Sequence, residues 1–155
     1  MGLSNKIKIH PLTLFVLSAG LLTGYFKYLI FIFSIVFVHE LGHIFMMKVF
    51  RRHVTSIEIL PFGGITKLDA KISENIFEDL LITVGGIFFQ TILGAVLFAM
   101  YHEGKIDYRT FEFLNTYNIL IILFNLLPIC PLDGFKILKL FGELFFSFKR
   151  VYTCS

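Results

Sequence analysis

From residue 28 to residue 47 the chain reads YLIFIFSIVFVHELGHIFMM, apolar apart from a cluster at His39, Glu40 and His43. About 20 apolar residues in a helix cross a hydrocarbon core of ~30 Å, so this segment confines the chain to folds that bury a whole helix in lipid or in protein. Two further stretches are as long. Residues 80–101 carry no charge, and residues 113–132 are uncharged but hold Asn115, Asn118, Asn125, Pro128 and Pro131. A shorter one, 11–25, is set off from the second by little more than Lys27, so the two form a tight helical hairpin. A soluble core helix accounts for one such stretch but not for three in 155 residues.

Charged residues make up 16% of the chain and apolar ones 56%, where an ordinary globular domain is about a quarter charged. The net charge of +3 is small, and the basic residues lie in loops beside the apolar spans. They act as topology signals and exclude a nucleic-acid surface. Cys130 and Cys154 make no disulfide framework, and Cys130 reads as a small buried hydrophobe. The N-terminus shows no cleavable leader, and Lys6 does not fit a myristoylation signal after Gly2.

Placing the N-terminus in the cytoplasm puts Lys6, Lys8, Lys48, Arg51, Arg52, Lys67, Lys71, Lys136, Lys139, Lys149 and Arg150 on that side, against Lys27, Lys105 and Arg109 on the other. The positive-inside rule favours this orientation. His43 is then five residues and His39 nine residues from Lys48. At 1.5 Å per residue the cluster lies roughly 8–14 Å inside the cytoplasmic boundary. Between the second and third spans, residues 54–68 (VTSIEILPFGGITKL) are apolar but too short to cross. Partial alternation, with Pro61 and Gly63-Gly64 in the middle, predicts a β-hairpin or a re-entrant loop. The expected fold is an all-α polytopic membrane protein, a single domain over 1–155 with about four transmembrane helices.

Ionisable side chains at membrane depth call for a functional role. In H-E-x-x-H on a helix, positions i and i+4 share a face, so His39 and His43 can bind one zinc with Glu40 alongside as a general base. A catalytic zinc takes three protein ligands and keeps one position open. Asp133 is the candidate third ligand. It follows Pro128 and Pro131, which break the fourth span, and precedes Gly134, which permits a tight turn. The alternative is that Asp133 is simply the first cytoplasmic residue after the span. Asn125 has two readings as well: a donor to substrate or to the oxyanion of a tetrahedral intermediate, or an interhelical hydrogen bond. Asn115 and Asn118 suit interhelical bonds, Gly85, Gly86 and Gly94 suit close helix packing, and Gln90 is a packing or substrate-facing group. Cys130, three residues before Asp133, has a conceivable place near the zinc. His10, His53 and His102 read as interfacial, and Glu74, Glu78 and Asp79 as a solvated helix start.

HELGH in an apolar helix, followed about 90 residues later by Asn-x-x-Pro-x-x-Pro-Leu-Asp-Gly (residues 125–134), resembles the site-2 protease family of intramembrane zinc metalloproteases, peptidase family M50. The 60–64 loop, Leu-Pro-Phe-Gly-Gly, and the Leu-Leu-Thr-Gly end of the first span are most similar to the stage IV sporulation protein FB subgroup. The resemblance implies His39, His43 and Asp133 as zinc ligands and Glu40 as the base. It further implies cleavage of a membrane-associated protein substrate, such as a sigma-factor precursor during sporulation. The place would be a bacterial inner or forespore-type membrane, with the active site on the cytoplasmic half and membrane-protein regulators nearby. Two positions differ from the usual family pattern: Phe135 follows Asp133-Gly134, and Gly85-Gly86 is not followed by proline. No PDZ or CBS segment is recognisable. The rival expectations are a zinc-binding, partner-binding remnant without activity, ending at Ser155 after the four-span core, and a metal transporter. A transporter would carry further carboxylates or histidines along a path.

Overall fold

Helix α1 (Phe26–Val49) and helix α2 (Ile76–His102) form the frame of the molecule. The computed structural model describes residues 7–9, 18, 21–52, 54–60, 63–68 and 75–146. Most of the expected first span, 11–25, lies outside them, as do His10, His53, Pro61 and Phe62. At the described end of the first span, Gly24 adopts φ 76°, a left-handed conformation that glycine takes without penalty, and α1 begins two residues later.

By length and apolar composition α1 and α2 can each cross a membrane, with mean hydropathies of 2.0 and 2.1 over their most apolar windows. Their packing matches that reading. Phe37 and Phe45 on α1, and Phe88, Ile92 and Val96 on α2, are exposed. The polar side chains His39, His43, Thr83, Gln90, Asn118, Asn125 and Asp133 are buried. A water-soluble chain would reverse this arrangement, because exposing so much apolar surface to water is unfavourable. The protein is an integral membrane protein.

Glycines set the distance between α1 and α2. A Cβ on Gly42 would collide with the Gly85 carbonyl, and one on Gly85 would stand 2.8 Å from the Gly42 oxygen. Only hydrogen at these positions lets the two backbones touch, as in small-residue contacts between membrane helices. Helix α3 (Tyr108–Asn125) packs against both α2 and α1, with Phe113 against Tyr28 and Phe31. It starts earlier than the expected span because Asp107 caps it, accepting a hydrogen bond from the Thr110 backbone N–H at 3.2 Å. It also stops at Asn125, short of the expected residue 132. Residues 126–132 form turns around Pro128 and a cis Cys130–Pro131 peptide, since neither proline can donate within a helix and each keeps its predecessor out of helical conformation. Helix α4 (Asp133–Phe146) then begins and packs on α2. Cys130 corrects its sequence reading: it is exposed rather than buried.

Three short strands form a sheet in the order β1-β2-β3. β1 (Ile7–Ile9) runs parallel to β2 (Val54–Leu60), with Ile7 opposite Ile57 and Ile9 opposite Ile59. β2 runs antiparallel to β3 (Gly63–Leu68), with Ile57 opposite Thr66. β3 packs against α1. Arg52, just past the end of α1, pairs with Glu78 at 2.7 Å and Asp79 at 3.7 Å in the first turn of α2, which ties the charged ends of the two helices together.

Candidate metal centre

His39 and His43 stand one turn apart on the buried face of α1, their rings edge to face with centroids 4.6 Å apart. Asp133, first residue of α4 and 3% exposed, turns its Oδ2 onto both: 3.1 Å from His39 Nε2 and 2.9 Å from His43 Nε2. The two Nε2 atoms are 3.0 Å apart. Three ligand atoms from residues up to 94 positions apart along the chain thus meet in one triangle.

The opposite side of each ring is occupied too. His39 Nδ1 lies 2.9 Å from Gln90 Oε1, and His43 Nδ1 lies 2.8 Å from the Ile82 carbonyl oxygen. Both of these oxygens only accept hydrogen bonds, so each Nδ1 carries the proton and donates. Each neutral ring then presents a bare lone pair at Nε2, facing the other ring and a carboxylate oxygen. Three acceptors at this separation repel one another unless a proton or a metal cation lies among them. Zinc bonds of ~2.0–2.1 Å in tetrahedral geometry separate donor atoms by roughly 3.3 Å, so the triangle needs to open by only a few tenths of an ångström. The donor set fits zinc.

Neighbouring residues hold this arrangement in place. A Cβ on Gly86 would lie 2.6 Å from His39 Cε1 and 2.6 Å from His43 Nε2, so α2 must carry glycine where it faces the imidazoles. A Cβ on Gly134 would run into the carbonyl oxygens of Leu126 and Leu127, so the turn before α4 closes only over glycine. The second carboxylate oxygen of Asp133, Oδ1, accepts from Lys136 Nζ at 3.0 Å, leaving Oδ2 to the histidines. Glu40 is half-buried, next to His39 in α1. Asn125 is buried at the end of α3, where its Nδ2 donates to Ile121 O of its own helix at 3.0 Å rather than across helices. Asn118 does bridge helices: its Nδ2 donates to the Gln90 backbone carbonyl at 2.9 Å. The sequence reading brought Gln90 forward only as a packing or substrate-facing group, and the Ile82 carbonyl not at all. A backbone carbonyl leaves no trace in residue type.

The family model for peptidase family M50 matches residues 27–107, just over half of the chain and inclusive of the histidine pair. The chain belongs to peptidase family M50. Among M50 relatives, the stage IV sporulation protein FB of Bacillus subtilis is 32% identical over 155 residues, covering 100% of this chain and 54% of the relative. A zinc metalloprotease of Methanocaldococcus jannaschii is 32% identical over 113 residues, 71% of this chain and 32% of that protein. The chain therefore spans about half the length of the first and about a third of the second. The solved site-2 protease of M. jannaschii superposes with a TM-score of 0.72 at 26% identity, over 90% of this chain and 68% of that one. The helical architecture is thus that of an M50 protein in the site-2 protease group.

Proposed function

We propose that the protein is an intramembrane zinc metalloprotease that hydrolyses a peptide bond in a membrane-associated protein. The observation that carries this reading is the convergence of two imidazole lone pairs and a carboxylate oxygen, all within about 3 Å, inside a helix bundle whose exterior is apolar. His39 Nε2, His43 Nε2 and Asp133 Oδ2 are the ligand atoms. When bound, zinc supplies Lewis-acid polarisation and lowers the pKa of water toward ~7. Glu40 accepts the proton of the attacking water and returns it to the leaving amine. Asn125, whose amide has a second N–H beyond the one given to Ile121, is the donor assigned to the developing oxyanion.

The chain in this reading is one membrane domain of four spans, with the centre on the cytoplasmic half. The distribution of basic residues supports it, and this reading puts the Arg52–Glu78–Asp79 cluster at the cytoplasmic ends of α1 and α2. Water reaches the centre from that side. By likeness to the sporulation relative, the proposed substrate is a sigma-factor precursor, cut at a forespore-type membrane under the control of other membrane proteins.

The test is Glu40→Gln in the full chain, co-expressed with a candidate precursor. Cleavage falls to background while zinc stays bound at unit stoichiometry. Cleavage at the wild-type rate would remove Glu40 as the base. Zinc binding by the wild-type chain without any cleavage would favour a non-catalytic member of the family.

A further inference from the structure

The two histidines are alike in sequence but are fixed by different means. His43 gives its Nδ1 proton to the backbone carbonyl of Ile82 at 2.8 Å, a partner no substitution removes. His39 gives its proton to the Oε1 of Gln90 at 2.9 Å, a side chain fourteen residues along from Ile76 in α2 and 0% exposed. Gln90 is itself anchored, because Asn118 on α3 donates to its backbone carbonyl. A buried chain of contacts thus runs from α3 through α2 to the ring in α1. Its endpoint is His39 Nε2, 3.1 Å from Asp133 Oδ2.

We infer that Gln90 is the positioning residue for His39: its Oε1 holds the ring as the Nδ1–H tautomer and aims the Nε2 lone pair at the metal position. The inference rests on the zinc reading of the His39, His43 and Asp133 triangle. The alternative role, packing alone, fits the site poorly. Gln90 Nε2 is buried with no hydrogen-bond partner among the described residues, and a buried unmade hydrogen bond is unfavourable. An apolar side chain of the same length would fill the volume without that penalty. The contact to His39 gives the amide a reason to be there. Groups that orient a ligating histidine through its other nitrogen typically change metal affinity 10–100-fold when lost.

Two variants of near-equal size separate the hydrogen bond from the packing. Gln90→Met keeps the length and loses the oxygen acceptor; Gln90→Glu keeps the acceptor. In the purified full chain, with zinc affinity measured by chelator competition, Gln90→Met should bind roughly 10–100-fold more weakly than wild type, and Gln90→Glu should stay close to wild type. In the metal-free wild-type protein, ring ¹⁵N shifts should show Nδ1 protonated on both histidines. In Gln90→Met only His39 should lose that preference, since His43 keeps its backbone acceptor. Equal zinc affinity in Gln90→Met and wild type would overturn the inference, as would equal weakening in both variants. An Nε2–H tautomer for His39 in wild type would do so independently of how either variant folds. A wild-type chain whose zinc binding is absent, or unaffected by His39→Ala, would instead overturn the metal reading and this inference with it.

Discussion

The crossing of α1 with α2 and the break between α3 and α4 supply the same centre by opposite means. At the crossing, regular structure suffices: an unbroken helix presents His39 and His43 one turn apart, and glycines on both helices bring the neighbouring backbone into contact. At the break, helix is abandoned for seven residues, 126–132, so that Asp133 can start a new helix with its carboxylate on the imidazoles. A carboxylate in a first helical turn faces unpaired N–H groups and the positive end of the helix dipole. Asp133 is therefore held by its helix as well as by Lys136. The crossing tolerates no side chain and the break tolerates no regularity.

The comparison is most severely tested at Gly86. Gly86→Ala puts a methyl 2.6 Å from both rings, where neither helix can give way without parting from the other. Unit zinc stoichiometry and cleavage should both be lost, with overpacking costing about 1–3 kcal/mol of stability. Zinc binding at wild-type strength would show that the crossing is looser than its geometry. Gly134→Ala probes the other region. The new methyl meets the Leu126 and Leu127 carbonyls, so the turn opens and Asp133 moves away from a histidine pair that stays in place. A comparable stability loss of about 1–3 kcal/mol is expected, but zinc should still bind, more weakly, through the two remaining ligands. If zinc were lost as completely as in Gly86→Ala, the two regions would not be separable.

The smallest effect should come from Asp107, remote from both. Hydrogen bonds from the Thr110 hydroxyl and backbone N–H hold its carboxyl below the usual carboxylate range. A lowered folded pKa means that the contribution is complete above the ordinary carboxylate pKa and disappears as pH falls through the lowered value. Asp107→Ala should fray the first turn of α3, seen as faster amide exchange at residues 108–111, and leave zinc affinity at neutral pH unchanged. A changed affinity would mean that the end of α3 communicates with the break at its other end.

Apolar length marks α1 and α2 in the sequence to within a few residues, because twenty apolar residues in a row state their environment without reference to anything else. H-E-x-x-H fixes the histidine pair on one helical face for the same reason: the helical repeat is local. The start of α3 was harder to read, since Tyr108, Arg109 and Glu112 hide it from hydropathy and only the cap at Asp107 reveals it. Its end was misplaced because the uncharged run continues through the prolines to Leu132. Asn125 illustrates the limit for a single polar residue: sequence offered an interhelical bond or a substrate donor, and its Nδ2 turned to its own helix.

By itself, then, the sequence determined that this chain enters a membrane and that one helix carries a histidine pair with a glutamate between. Those properties follow from composition and from a period of 3.6 residues, both readable in a short window. Only the tertiary structure decided that Asp133 closes the triangle, that Gln90 rather than a carboxylate stands behind His39, and that a backbone carbonyl stands behind His43. These partners lie 39 to 94 positions away along the chain. They meet because glycines let α1 and α2 touch and a turn closed over Gly134 swings α4 inward. A buried polar group is satisfied by whatever docking brings to it, and docking is a property of the whole packed chain.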